Sequence, residues 1–160
     1  MKKLISLTIL GFIFISCAYE ASAQSISARS LKGIKRIEIL VEGLDSDGRR
    51  FITKDEISRI VSERLRRRGI LVIDNTGADD RYNYFYVNLN LISDERAAYF
   101  NLLLEFNQTA TLDNDDRISV ATWRKSILGK GGLGGARNQI IDVIEELTDQ
   151  FLLDYLTANR

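Results

Sequence analysis

Two neighbouring stretches, Tyr84 to Ser93 and Ala98 to Thr111, restrict the folds open to this 160-residue chain more than any other feature. Both alternate apolar with polar residues, the period of a strand buried on one face. Only Asp94-Glu95-Arg96-Ala97 separates them. Pairing Ser93 with Ala98 places Leu91 opposite Phe100, Leu89 opposite Leu102, Val87 opposite Leu104 and Phe85 opposite Phe106. The other face then reads Ile92 with Tyr99, Asn90 with Asn101, Asn88 with Leu103, Tyr86 with Glu105 and Tyr84 with Asn107. Slipping one strand by a single residue scatters both sets, so this register is strongly specified. A long hairpin with one wholly apolar face needs a second layer to cover it.

The flanking sequence supplies that layer. Ile37, Ile39 and Val41 alternate with Glu38, Leu40 and Glu42, a strand pattern. Thr53-Lys54-Asp55-Glu56 then forms a capping box, in which Thr53 accepts from the third helical N–H and Glu56 reaches back to the Thr53 N–H. Ile57, Ile60, Val61 and Leu65 share the face of the helix that follows, and Gly69 ends it in the left-handed conformation. Ile70 to Ile73 is a short apolar run, expected to return parallel to the first strand through that helix. Beyond the hairpin, Asp113-Asn114-Asp115-Asp116 turns the chain into a strand from Ile118 to about Ile127, of unspecified register. Gly129 to Gly135 is expected to break regular structure. A last helix from about Ala136 carries Ile140, Ile144, Leu147 and Phe151 on one stripe. The expectation is an α+β two-layer sandwich in the order β-α-β-β-β-β-α. Its sheet has about five strands, mixed and mostly antiparallel, with both helices on the Phe85/Phe106 face.

The amino terminus reads as an export signal. Lys2 and Lys3 precede an apolar run, Leu4 to Ile15, followed by the small-x-small triplet Ala21-Ser22-Ala23 before Gln24. The run is too short to span a bilayer, which takes about 20 residues, and nothing later approaches that length. We expect 1–23 to be a signal peptide cleaved after Ala23, 24–33 a flexible lead-in and 34–160 one α+β domain, placed in the periplasm or outside the cell. The competing reading is a lipid anchor at Cys17, although Phe14-Ile15-Ser16 lacks the leucine usual at the first position of a lipoprotein signal.

The residue inventory removes whole classes of chemistry. There is no histidine, and the one cysteine, Cys17, falls in the leader, so Ser-His, Cys-His and His-ligated metal mechanisms are excluded. Proline is absent too, leaving turns to Gly, Asn and Asp. The chain has 22 basic and 22 acidic side chains; with Lys2, Lys3 and Glu20 in the leader, the remainder sits within one charge of neutrality. Nucleic acid, which needs clustered cations to displace counterions, is not an expected partner.

Four local motifs bear on chemistry. Residues 45–56 match a calcium-binding EF-hand loop at Asp45, Asp47, Ile52 and Glu56, yet Arg49 stands where an oxygen ligand is required and Arg50 where the turn glycine belongs. An Asp/Gly turn leading into the capping box is the simpler reading, and no metal or cofactor is expected. Gly129 to Gly135 lacks the ending of a phosphate-binding loop. Arg64, Arg66, Arg67 and Arg68, joined by Arg59, form a basic patch near the end of the first helix, where cations complement the helix dipole. Anionic lipid, lipopolysaccharide or an acidic partner is the functional alternative. The acids Asp113, Asp115 and Asp116 crowd a four-residue turn, a solvent-facing arrangement that leaves no expected catalytic residue. Trp123 is expected in the sheet packing and the acids Asp142, Glu145, Glu146 and Asp149 on a solvated face of the last helix.

The helix end Leu65-Arg66-Arg67-Arg68-Gly69-Ile70 and the Thr122-Trp123 strand resemble those of secreted bacterial proteins of unknown function, and the succession of strand, helix, strand, long hairpin and final helix resembles, in architecture, small envelope modules. These are typified by the TolB amino-terminal domain and the lipopolysaccharide-assembly lipoprotein family. The resemblance spans about 34–157 and implies action by protein contact within the envelope rather than catalysis. The leading expectation is therefore a non-catalytic binding or accessory module whose partner is another envelope protein. Tyr84, Tyr86 and Tyr99, on the face away from the helices, are the candidate anchors. The alternative is a metal-binding or carboxylate-dependent enzyme built on Asp45 and Asp47 or on the 113–116 turn.

Overall fold

The computed structural model describes residues 28–73 and 83–160. Strand β1 (Arg36–Val41) leads through a 3-10 turn at Gly48–Arg50 into helix α1 (Lys54–Arg67) and strand β2 (Leu71–Ile73). Strands β3 (Tyr84–Ser93), β4 (Ala97–Thr111) and β5 (Arg117–Gly132) follow, and helix α2 (Ala136–Ala158) closes the chain. The five strands lie in the order β2-β1-β3-β4-β5. Strand β1 is parallel to both β2 and β3, and the other pairs are antiparallel. The α+β sandwich and its element order match the expectation.

The hairpin register is the one the side chains specify, in every pair from Tyr84 opposite Asn107 to Ser93 opposite Ala98. Phe85, Val87, Leu89, Leu91, Phe100, Leu102, Leu104 and Phe106 are all buried, and one core joins them to Ile57, Leu65, Ile140 and Ile144 from the helices. Phe151 of α2 is its centre. Its ring centroid lies 4.8 Å from that of Phe85, 5.3 Å from Trp123 and 5.4 Å from Phe106. Edge and tilted contacts of this kind add about 0.5–1.5 kcal/mol each to the area they bury.

Local chemistry sets the helix ends. Thr53 Oγ1 accepts from the Glu56 N–H at 3.2 Å, one half of the capping box. The Glu56 carboxylate meets Arg137 on α2 instead of turning back, so the box is traded for a tie between helices. Gly69, with φ +79°, ends α1 in a Schellman motif: its N–H donates to Arg66 O at 3.0 Å and the Ile70 N–H to Leu65 O at 3.2 Å.

Two expectations need correction. The glycine-rich stretch does not break the sheet; β5 continues to Gly132, with Gly129 opposite Phe100 and Gly131 opposite Ala98. The Phe100 ring occupies the space where a Gly129 side chain would be, so glycine here makes room for a neighbour. Nor is the whole of 24–33 a flexible lead-in, because residues 28–33 form a docked turn. Leu31 is fully buried, Ser30 O accepts from Gln108 Nε2 at 2.9 Å, and Asn159 at the end of α2 grips Leu31 O and the Gly33 N–H. One apolar side chain and the two-sided amide of Asn159 hold a segment whose composition is that of a linker.

Candidate functional site

The carboxylates of the EF-hand-like loop are engaged in holding the loop to the sheet. Asp45 Oδ1 accepts from the Gly48 N–H at 2.6 Å, closing the 3-10 turn, and its Oδ2 lies 3.4 Å from the Leu91 N. Asp47 Oδ2 accepts from the Ser93 N–H at 2.7 Å and the Ser93 hydroxyl at 2.9 Å. These two bonds, led by the hydroxyl, hold the Asp47 carboxyl below the usual carboxylate range. Arg49 reaches out of the loop to Leu44 O at 2.6 Å and Arg50 to Ser93 Oγ at 3.1 Å. The loop thus caps the end of β3 through its acids and braces itself through its cations.

The 113–116 turn is closed mainly by its backbone, with one bond to the Asp116 carboxylate. Leu112 N donates to Asp116 O at 2.8 Å, Asp115 N to Leu112 O at 3.0 Å, and Asn114 Nδ2 to Asp116 Oδ2 at 2.6 Å. Asp115 takes a φ of +67°, a conformation that Asp tolerates better than most side chains. Asp113, Asp115 and Asp116 are exposed at the hairpin tip. Asp94, in the β3–β4 turn, accepts from the N–H groups of Arg96 (2.7 Å) and Ala97 (2.8 Å), which lower its pKa. Among the described residues no three acidic side chains converge on a point that would suit a metal ion.

The basic patch divides. Arg64 turns to α2, where it meets Glu145 at 2.6 Å and Asp149 at 2.8 Å, so the expected solvated acids of that helix include two helix-pairing ones. Arg67 and Arg59 both reach Glu63, at 3.8 and 3.1 Å. Arg66 and Arg68 are exposed and pair with no carboxylate among the described residues.

The three candidate tyrosines do share the face away from the helices, but their hydroxyls differ in use. Tyr86 donates to Glu42, the residue just after β1, and Asn88 Nδ2 donates to the same carboxylate. Tyr84 crosses β4 to accept from Ser119 Oγ at 3.2 Å, and Asn107, its strand partner, is buried. Glu105, opposite Tyr86, is buried beside Arg124 at 2.5 Å. Tyr86 therefore ties β3 to the segment that leaves β1, and Tyr84 ties β3 to β5 across the open face. Tyr99 is 37% exposed, with the Lys130 ammonium 5.2 Å from its ring centroid.

What sequence reasoning missed is the company Tyr99 keeps. Ile92, its direct strand partner, is 71% exposed, and Leu128, two pairs along on β5 and opposite Asn101, is 82% exposed. The register places all three at the β3–β4 turn end of the open face, diagonal or opposite to one another across β4, with Asn90, Asn101, Ser126 and Lys130 as neighbours. The hairpin register already set Ile92 outward. Leu128 carried no such signal, because the strand was expected to stop before it.

Trp123 is 2% exposed in the core, and its indole N–H donates to Asp154 Oδ2 at 2.9 Å. A bulge directs it there: Phe106 faces Trp123 while Asn107 faces Ala121, leaving Thr122 as the extra residue. Trp123 is a packing residue.

Among the described residues no helix is long and apolar enough to cross a membrane. No family model and no curated protein matches the chain. Among solved structures, a minor lipoprotein from Acinetobacter baumannii is similar at 10% identity and a TM-score of 0.39, over 75% of this chain and 89% of that one. This likeness is too loose to bear on function.

Proposed function

We propose that the chain is an exported, non-catalytic binding module of the bacterial cell envelope that holds another envelope protein against its open sheet face. The observation that carries this reading is the patch of Ile92, Tyr99 and Leu128, where two large aliphatic side chains stand mostly in water beside an amphipathic ring. Exposed apolar side chains grouped inside a polar rim are a recurring mark of contact surfaces. Tyrosine flanked by aliphatic anchors inside a polar rim is the composition of an interface core. The leader supports export: 1–23 is proposed to be removed after Ala23, leaving 34–160, with the docked 28–33 turn, as one domain. The Asp45 and Asp47 carboxylates, on which a metal-dependent reading would rest, accept hydrogen bonds from Gly48, Leu91 and Ser93.

The test is Ile92→Ser combined with Leu128→Ser. Both residues are exposed, so circular dichroism and the unfolding midpoint should stay close to those of the parent. Recovery of the partner from envelope extract, quantified against parent bait, should fall at least tenfold. Equal recovery by the folded variant excludes this face.

A further inference from the structure

Strand β5 is an edge of the sheet. Among the described residues it pairs only with β4, and its sixteen residues include no proline to block a further strand. The Thr122 bulge interrupts its first half, which leaves Arg124 to Gly132, about 30 Å of regular strand, open along one side. Bare edges invite pairing, and proteins commonly guard them with charge. Here the open-face guard is turned aside. Arg124 leans inward over β4 to Glu105 at 2.5 Å, and Lys130 leans over the ring of Tyr99, also on β4. Leu128, between them on the same face, is the most exposed large apolar side chain among the described residues.

We infer that β5 pairs antiparallel with β5 of a second copy of this chain, about a two-fold axis that passes through Leu128 perpendicular to the sheet. Such an interface is self-complementary, so each residue meets the one equally far beyond the axis. With Leu128 opposite itself, Ser126 faces Lys130, Arg124 faces Gly132, Ile127 faces Gly129 and Lys125 faces Gly131, each twice by symmetry. Every cation thus meets a small residue. Moving the axis by one residue brings either Arg124 or Leu128 against Lys130, so charge and size both specify the register. The glycines are also covered on the core side. The Phe100 ring lies over Gly129 and the Gln139 amide over Gly131, so Ile127 of the second copy meets a ring and its Lys125 meets an amide oxygen.

The described residues that flank the undescribed ones lie elsewhere. The 28–33 turn meets β5 at Thr122, where Ser30 Oγ lies 3.4 Å from Thr122 O, and 74–82 runs from β2, the opposite edge, to β3, two strands from β5. Edge pairing sets two open faces side by side and leaves their side chains standing from the sheet. It therefore does not rest on partner binding at the Ile92–Tyr99–Leu128 end, and the two readings fail separately. A photoreactive group at position 128 in cells then adds an adduct of twice the chain's own mass to the one it shares with position 92.

The test is made on the purified exported protein carrying Cys17→Ser, so that an introduced thiol is the only one. Analytical ultracentrifugation should show a dimer that dissociates on dilution. Ser126→Glu, which sets an acid opposite Lys130, should tighten the dimer severalfold, and Ser126→Lys should weaken it severalfold. Ser126 is exposed, so both variants should keep the parent's circular dichroism. A short bismaleimide should cross-link Leu128→Cys to itself and leave Ile92→Cys, two strands from the edge, monomeric. Ser126→Cys and Lys130→Cys should cross-link efficiently only when the two proteins are mixed, which reads the register and leaves Leu128 in place. A monomer at every concentration, the state expected if residues 24–27 or a different protein take the edge, would overturn the inference. A dimer indifferent to the charge at position 126, or one that cross-links through Ile92→Cys, would overturn it equally.

Discussion

The Phe100 ring rests on the backbone of Gly129 so closely that a Cβ at that glycine would sit 2.2 Å from Phe100 Cζ. That contact keeps the glycine-rich stretch in the sheet and extends β5 to the level of the β3–β4 turn. It also carries Leu128 onto the open face.

Gly129→Ala should therefore be costly, because the ring must leave its position or the strands must part. Overpacking of this kind typically costs about 1–3 kcal/mol. Gly134→Ala, a few residues on, meets nothing within 4 Å and should change stability by less than about 0.5 kcal/mol. Urea unfolding of the two variants separates a steric glycine from a merely flexible one.

The Asp47–Ser93 contact predicts a pH effect. A carboxyl whose pKa is lower folded than unfolded contributes stability above the ordinary carboxylate range, and that contribution disappears as pH falls through the folded value. The unfolding midpoint of the parent should fall more between pH 5 and pH 2 than that of Asp47→Asn, which accepts from Ser93 at any pH. Parallel curves would show that the contact is not made in solution.

Calcium should not stabilise the protein. A ligand that binds only the native state raises its midpoint, but Asp45 and Asp47 already accept from Gly48, Leu91 and Ser93, with Arg49 and Arg50 in the same loop. Thermal unfolding in millimolar calcium and in chelator should give one midpoint. A rise of several degrees with calcium, abolished by Asp45→Ala, would reinstate the metal reading.

Intact-mass spectrometry of the exported protein should place Gln24, or its cyclised form, at the amino terminus. A mass that includes a diacylglyceryl group on Cys17 would replace the cleaved leader by an anchor.

Much of the fold is legible in the sequence because its signals are periodic. The Tyr84–Ser93 and Ala98–Thr111 alternation fixes ten strand pairs, and Thr53 and Gly69 mark both ends of α1. What could not be read depends on single contacts between distant residues. Thr122 is an ordinary β-branched residue until Phe106 makes it a bulge, and Gly129 looks like a loop residue until Phe100 covers it. Leu31 lies in a polar, aperiodic stretch and is held by Asn159 from 128 positions away. The candidate site divides on the same line. Parity alone assigns Tyr84, Tyr86 and Tyr99 to their face, whereas the exposure of Leu128 follows from a strand end that no pattern marks.

The central claim, that the Ile92–Tyr99–Leu128 end of the open face holds the partner, is tested most directly by photo-crosslinking in intact cells. A photoreactive amino acid is placed in turn at Ile92, at Leu128 and at Leu153, an exposed residue of α2 on the helical layer. The account predicts one adduct of the same mass from positions 92 and 128 and none from position 153. An adduct from position 153 with none from 92 or 128 would contradict it and move the contact surface to the helices.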